Sequence, residues 1–210
     1  GVPAKKADEK VDPELDSVSV EGREPTLRKN LYIMMNKPSG VLSATRDPRA
    51  KTVVDLLPPQ WKRRGMFPAG RLDKDTRGLL ILTDDGDFAH RMLAPKSHVW
   101  KLYEAELDGP VGDLEREKFR EGISIGDVVC LPAELFLPEE GSSSLVRVQI
   151  REGKFHQVKR MFQAVGREVT ALKRIRIGAL SLDASLQPGE CRLMTEDEKQ
   201  AVFAKEDGTL

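Results

Sequence analysis

The run Leu79-Leu80-Ile81-Leu82 is wholly apolar and short, and it lies between Gly78 and the turn signal Asp84-Asp85-Gly86-Asp87. Four apolar residues between such breakers predict a buried strand. Alternating patterns predict strands over Leu102 to Leu107 and Leu145 to Ile150, and Leu31 to Met35 reads as a further strand closed by a Pro-Ser-Gly turn at 38–40. Helical patterns fall between them. Thr52 to Leu57 reads as a short helix stopped by Pro58-Pro59. Phe88 to Leu93 reads as a helix with Asp85 or Asp87 as N-cap and Pro95 just beyond its end. Asp113 to Glu121 is helical up to Gly122. From Phe155 to Ala164 the apolar residues Val158, Met161, Phe162 and Val165 recur at helical spacing, with Gly166 placed to end the helix. Short strands interrupted by a few helices predict an α+β domain.

Residues 1–29 differ in character, with β-prone pieces such as Asp16-Ser17-Val18-Ser19-Val20 separated by Asp, Pro and Gly, and they read as an appendage to a domain spanning 30–210. Of the 210 residues, 39% are hydrophobic and 32% charged, which suits a soluble protein with one or two ordinary cores. No run approaches the roughly 20 apolar residues of a spanning helix, and the first residues lack the apolar segment of a secretory signal, so the expected location is the cytoplasm. Cys130 and Cys191 are far apart and the three histidines are scattered, so reduced thiols and no metal are expected. Net charge is zero, which argues against wholesale electrostatic binding of nucleic acid. Basic residues nevertheless group at Lys62-Arg63-Arg64, Lys159-Arg160 and Lys173-Arg174-Ile175-Arg176, either as phosphate contacts or as solvated surface.

The segment Gly70-Arg71-Leu72-Asp73-Lys74-Asp75-Thr76-Arg77-Gly78 joins an acid-rich loop to the apolar strand. Asp73 therefore sits on a loop held by a rigid element. The flanking cations Arg71 and Lys74 favour its ionised form, which suits a nucleophile. Asp75, two positions on, either forms a glycosidase-like pair with Asp73 or bonds its own loop; the Asp-Thr sequence favours the loop reading.

Gly-Arg-Leu-Asp-x-Asp-Thr-x-Gly-Leu followed by Thr-Asp-Asp-Gly resembles the signature of the pseudouridine synthases, in the branch acting on small-subunit ribosomal RNA. Asn36-Lys37-Pro38-Ser39-Gly40 is similar to the family's opening motif, and Glu152 to Met161, containing Phe155-His156-Gln157-Val158-Lys159, to its third. Order and spacing match from about Leu31 to about Phe203. The resemblance implies the family's mostly antiparallel mixed sheet in two halves around a central cleft. It implies a cofactor-free isomerase that converts one uridine of ribosomal RNA, 16S before 23S, to pseudouridine, with ribosomal RNA or a subunit precursor as partner, no membrane, and a monomer. Residues 1–29 resemble the closing strands of an alpha-L RNA-binding domain; the bland reading is a linker.

The same resemblance places Asp73 at C1′ of the uridine. Tyr103, a core aromatic by pattern alone, would stack on the extruded uracil and help remove the C5 proton. Lys159 stands where many synthases carry an arginine paired with the aspartate; Arg160 is the other candidate for facing the cleft. Arg71 would bind phosphate or hold the flipped nucleotide, Leu172 would line the uracil pocket, and Lys37 would touch RNA or, more plainly, serve as a turn cation before Pro38. His156 and Gln157 would either bond RNA or cap their helix. A ribosome assembly factor that kept the fold without the reaction, and a glycoside hydrolase, are the competing readings; Asp73 and Tyr103 are both present, against the first.

Overall fold

The computed structural model describes residues 30–138 and 142–204; the expected strand at 16–20 and the rest of the N-terminal appendage lie outside the described residues. The described chain is α+β, built on one nine-stranded sheet. Its left half contains β1 (Tyr32–Lys37), β2 (Phe67–Ala69), β3 (Arg77–Thr83) and, late in the chain, β11 (Cys191–Leu193). Its right half contains β4 (Lys101–Val111), β7 (Glu134–Phe136), β8 (Ser143–Ile150), β9 (Val169–Ile177) and β10 (Leu180–Ser181). The path runs β11-β1-β3-β9-β4-β8-β7, with β2 also on β3 and β10 also on β9. Strands β5 (Ser124–Ile125) and β6 (Val128–Val129) form a separate small hairpin.

Every named pairing is antiparallel except the seam between the halves, where β3 meets β9 in parallel over only Arg77↔Lys173 and Gly78↔Arg174. Gly78 is required there. At φ +100° a Cβ on this residue would lie 2.2 Å from the Arg174 carbonyl oxygen, so the two backbones can meet only if one side chain is absent.

The local signals explain the helices. Helix α1 (Gly86–Leu93) starts where the Asp85 carboxylate accepts from the Phe88 N–H at 3.0 Å, a cap worth about 1 kcal/mol; of the two expected caps, Asp85 is the one used. Helix α2 (Asp113–Glu121) starts with Glu115 accepting from the Gly112 N–H at 2.8 Å and ends at Gly122, φ +95°. Helix α3 is Gln157–Ala164, two residues shorter at its start than the pattern predicts, because His156 adopts φ +49° and blocks a helical turn through Phe155. The acidic run at 196–198 opens α4 (Glu196–Ala201), where Thr195 and Glu198 cap each other's backbone N–H at 3.2 and 2.9 Å.

Three expectations need correction. Thr52 to Leu57 forms only a 3-10 turn over Val54–Leu56, because Asp55 takes both the N–H and the hydroxyl of Thr52 at 2.8 and 2.9 Å and the next two residues are prolines. Strands β3, β4 and β8 run beyond their apolar stretches, since ladder pairing tolerates polar ends. The basic cluster 173–176, expected as phosphate contacts or solvated surface, lies inside β9, a central strand, with Arg174 buried.

Two cores flank the sheet. One places Leu80, Leu82, Tyr103, Val148 and Leu172 against Val158, Met161 and Phe162 of α3, with the Phe119 and Phe162 rings 5.0 Å apart. The other packs Met34, Leu79 and Ile81 against Phe88 and Met92 of α1 and Val202 after α4. Cys130 and Cys191 are free thiols.

Candidate active site

The loop 70–76 before β3 is fixed from several sides. Leu72 and Thr76 are buried and anchor it, while Asp73 between them stays partly open. The Ser43 hydroxyl donates to the Leu72 carbonyl at 2.8 Å and accepts the Leu72 N–H at 3.1 Å. Gly40, at φ +84°, donates its N–H to the Lys74 carbonyl at 2.8 Å, and the Thr76 N–H closes a turn onto the Asp73 carbonyl at 3.2 Å. Lys37 lies beneath. Its ammonium donates to the carbonyls of Pro38, Lys74 and Thr76 at 3.0, 3.1 and 2.9 Å.

Lys37 therefore departs from the expectation of RNA contact: it is fully buried, and its three protons are committed to backbone. Burial pushes its amine down to about 8, against the pull of the Asp75 and Asp73 charges.

Across the loop stands α3. Lys159 Nζ lies 2.6 and 2.7 Å from the two Asp75 oxygens and 3.7 Å from Asp73 Oδ2. The hydrogen bond from Lys159 holds the Asp75 carboxyl below the usual carboxylate range. Asp75 thus bonds chiefly across to α3 rather than within its own turn. His156 Nε2 stands 3.6 Å from Asp73 Oδ1. The cations nearest Asp73 are Lys159 and, when protonated, His156, rather than its sequence neighbours Arg71 and Lys74. Both contacts exceed hydrogen-bonding distance, so the Asp73 oxygens remain available to another group.

The opposite wall comes from β4 and β9. Tyr103 pairs with Arg174 across the ladder, and Leu172 lies opposite Ala105, two residues along β4, so Tyr103 and Leu172 share a face. Asp73, Arg71, Tyr103, His156, Gln157 and Leu172 line one cleft of about 70 Å³. An open carboxylate facing an aromatic and an aliphatic wall can stabilise positive charge on a carbon or bond to it.

The remaining expected residues are placed differently. Arg71 is exposed at the cleft. Gln157 borders the cleft but spends its amide on Glu152 and on the Lys154 N–H, at 2.8 and 2.9 Å, bracing the loop before α3. Arg160 points to the small hairpin, where it donates to the Ile125 carbonyl at 2.8 Å; Lys159, not Arg160, is the residue beside the acids. Sequence reasoning missed Arg174. It is buried, donates from Nε to the Leu79 carbonyl at 2.9 Å across the seam, and places Nη1 3.5 Å from the Tyr103 hydroxyl. Its place in the Leu172-x-Arg174 pattern was the available signal. Among the described residues no three His, Cys, Asp or Glu side chains form a metal-binding group, and no helix is long and apolar enough to cross a membrane.

Comparison with known proteins identifies the family. The family profile described as RNA pseudouridylate synthase matches residues 31–164. An uncharacterized RNA pseudouridine synthase, YtzG, of Bacillus subtilis is 48% identical over 94% of this chain and 84% of its own. The ribosomal small subunit pseudouridine synthase A of Escherichia coli is 44% identical over 81% of this chain and 73% of its own. A crystal structure of a pseudouridylate synthase superposes with a TM-score of 0.76 at 34% identity, over 94% of this chain and 84% of that one. With its motifs, its two-halved sheet and its relatives in agreement, the chain belongs to the RNA pseudouridylate synthase family, whose members are isomerases.

Proposed function

We propose that this protein converts a uridine of 16S ribosomal RNA to pseudouridine, with Asp73 acting at C1′. One observation carries the reading: the available carboxylate of Asp73 faces Tyr103 and Leu172 within a single cleft, with Lys159 beside it. The choice of 16S RNA is supported by the name of the Escherichia coli relative.

The chemistry balances without a redox step or an added group. The target nucleotide leaves its stack and its uracil enters between Tyr103 and Leu172. The N1–C1′ bond breaks with its electron pair going to uracil, while the Asp73 carboxylate either bonds to C1′ or takes the 2′ proton to give a glycal. The uracil turns and C5 bonds to C1′ as the Asp73–C1′ bond breaks or, on the glycal route, as Asp73 returns the proton to C2′; C5 then loses its proton and N1 gains one. Lys159 holds Asp75 ionised beside Asp73, and Arg174 bonds the Tyr103 hydroxyl. Arg71 meets RNA phosphate at the rim.

The test is incubation of the protein with unmodified 16S and 23S transcripts and mapping of pseudouridine at nucleotide resolution. A single modified uridine in 16S RNA is expected. Modification confined to 23S RNA would move the target; none in either would overturn the activity.

A further inference from the structure

Phe155 lies one residue before α3 with 72% of its surface exposed, the most exposed large aromatic of the described residues. Its ring stacks on His156, with centroids 3.8 Å apart and planes within 19°. Its other face is open. His156 in turn reaches to 3.6 Å from Asp73, so carboxylate, imidazole and phenyl form a series leading out of the cleft.

The exposure is built into the loop. Glu152 accepts from the Leu131 N–H and the Gln157 amide, at 2.9 and 2.8 Å, and the Lys154 N–H donates to the Gln157 side chain at 2.9 Å. His156 holds φ +49°, an uncommon conformation for a residue with a side chain. A braced loop thus holds an apolar ring in solvent, flat against His156, which itself lines the cleft together with the exposed Arg71. Stacking surfaces flanked by cations fit unpaired nucleobases, each of which has a π-face and is joined to phosphate.

We propose that the outer face of Phe155 is a stacking subsite for an unpaired nucleobase of the substrate RNA, that of the nucleotide adjacent to the target uridine. The subsite rests on the reaction proposed at Asp73, because that reaction sets the target at the inner end of the series. It requires the substrate to be unpaired beside the target, and it tolerates any of the four bases at that position.

The test uses the full chain and its Phe155→Ala and Phe155→Trp variants. The probe is a short unstructured RNA with one uridine and 2-aminopurine either next to it or several nucleotides away. The wild type should quench the adjacent 2-aminopurine, Phe155→Ala should lose the quenching, and Phe155→Trp should restore it, with the distant label unaffected by residue 155. On the ribosomal transcript that the wild type modifies, Phe155→Ala should raise KM about tenfold, equivalent to about 1.4 kcal/mol, with kcat within about twofold; Phe155→Trp should return KM to the wild-type range. Unchanged KM in Phe155→Ala, a fall in kcat alone, or quenching independent of label position would overturn the subsite. Absence of pseudouridine with the wild-type protein would overturn instead the reaction on which it rests.

Discussion

Lys159 is bound to Asp75 more closely than to Asp73: both Asp75 oxygens lie within 2.7 Å of its ammonium, whereas the nearer Asp73 oxygen is 3.7 Å away. The residue expected to pair with Asp73 is thus committed to its neighbour. This leaves Asp73 charged surroundings without a hydrogen bond that would have to break when substrate arrives.

Removal of Lys159 should be felt by Asp75. Its carboxyl lies below the ordinary aspartate value of 3.8, with the Lys159 hydrogen bond as the leading cause. A depressed carboxylate contributes stability above its unfolded value, and that contribution is lost as pH falls through the folded value. In Lys159→Met the Asp75 titration, followed by NMR, should move up toward 3.8. Because Asp75 is 70% exposed, the change in acid stability should be small and diminished by salt. An unchanged midpoint would show that the pair does not persist in solution.

Asp73→Asn should abolish pseudouridine formation, lowering turnover by at least about a thousandfold, with thermal unfolding and RNA affinity near wild type. The amide is isosteric and partly exposed, so neither fold nor cleft shape should alter. Substantial residual turnover in a homogeneous sample would remove Asp73 from the reaction.

Gly78→Ala should destabilise the protein by at least about 3 kcal/mol, because the new Cβ would lie 2.2 Å from the Arg174 carbonyl oxygen at a φ of +100°. Chemical denaturation measures the loss. Near-wild-type stability would mean that the seam parts easily.

Lys37 gives a prediction of the same pH sense as Asp75, but at the alkaline end of the scale. Burial lowers its amine from 10.5 to about 8, so between these values the unfolded chain binds the extra proton and stability gains as pH rises. The wild type's advantage over Lys37→Met should therefore grow by about 1–2 kcal/mol from about pH 7 to about pH 9.5. Urea unfolding at both pH values checks it; a shrinking advantage would show that the three carbonyls hold the proton more strongly than burial expels it.

Much of this could be read from local signals. The Asp85 cap, the Gly122 stop and the apolar core of β3 each rest on a few adjacent residues, and the structure has all three. Strand β9 escaped because Lys173, Arg174 and Arg176 break its alternation, and the carbonyl partner that buried Arg174 finds across the seam is distant in sequence. The fold name and the grouping around Asp73 came through resemblance; periodicity supports α+β and no more. The destinations of Lys37, Gln157 and Arg160 depend on partners distant in sequence, and spacing carries no trace of them. The choice of Lys159 between two acids two residues apart turns on about an ångström, below the reach of any pattern.

Because the Lys37 amine comes from β1 while its acceptors come from the turn after β1 and from the loop before β3, the shape of that loop is not a property of the loop's own sequence. An internal ammonium gathers three carbonyls as a bound cation would, and it reaches them from the end of a strand that is paired with β3. The nine residues 70–78 transplanted into another scaffold would carry the acid without its geometry, and a working graft would have to bring the Asn36-Lys37-Pro38 strand end along with it.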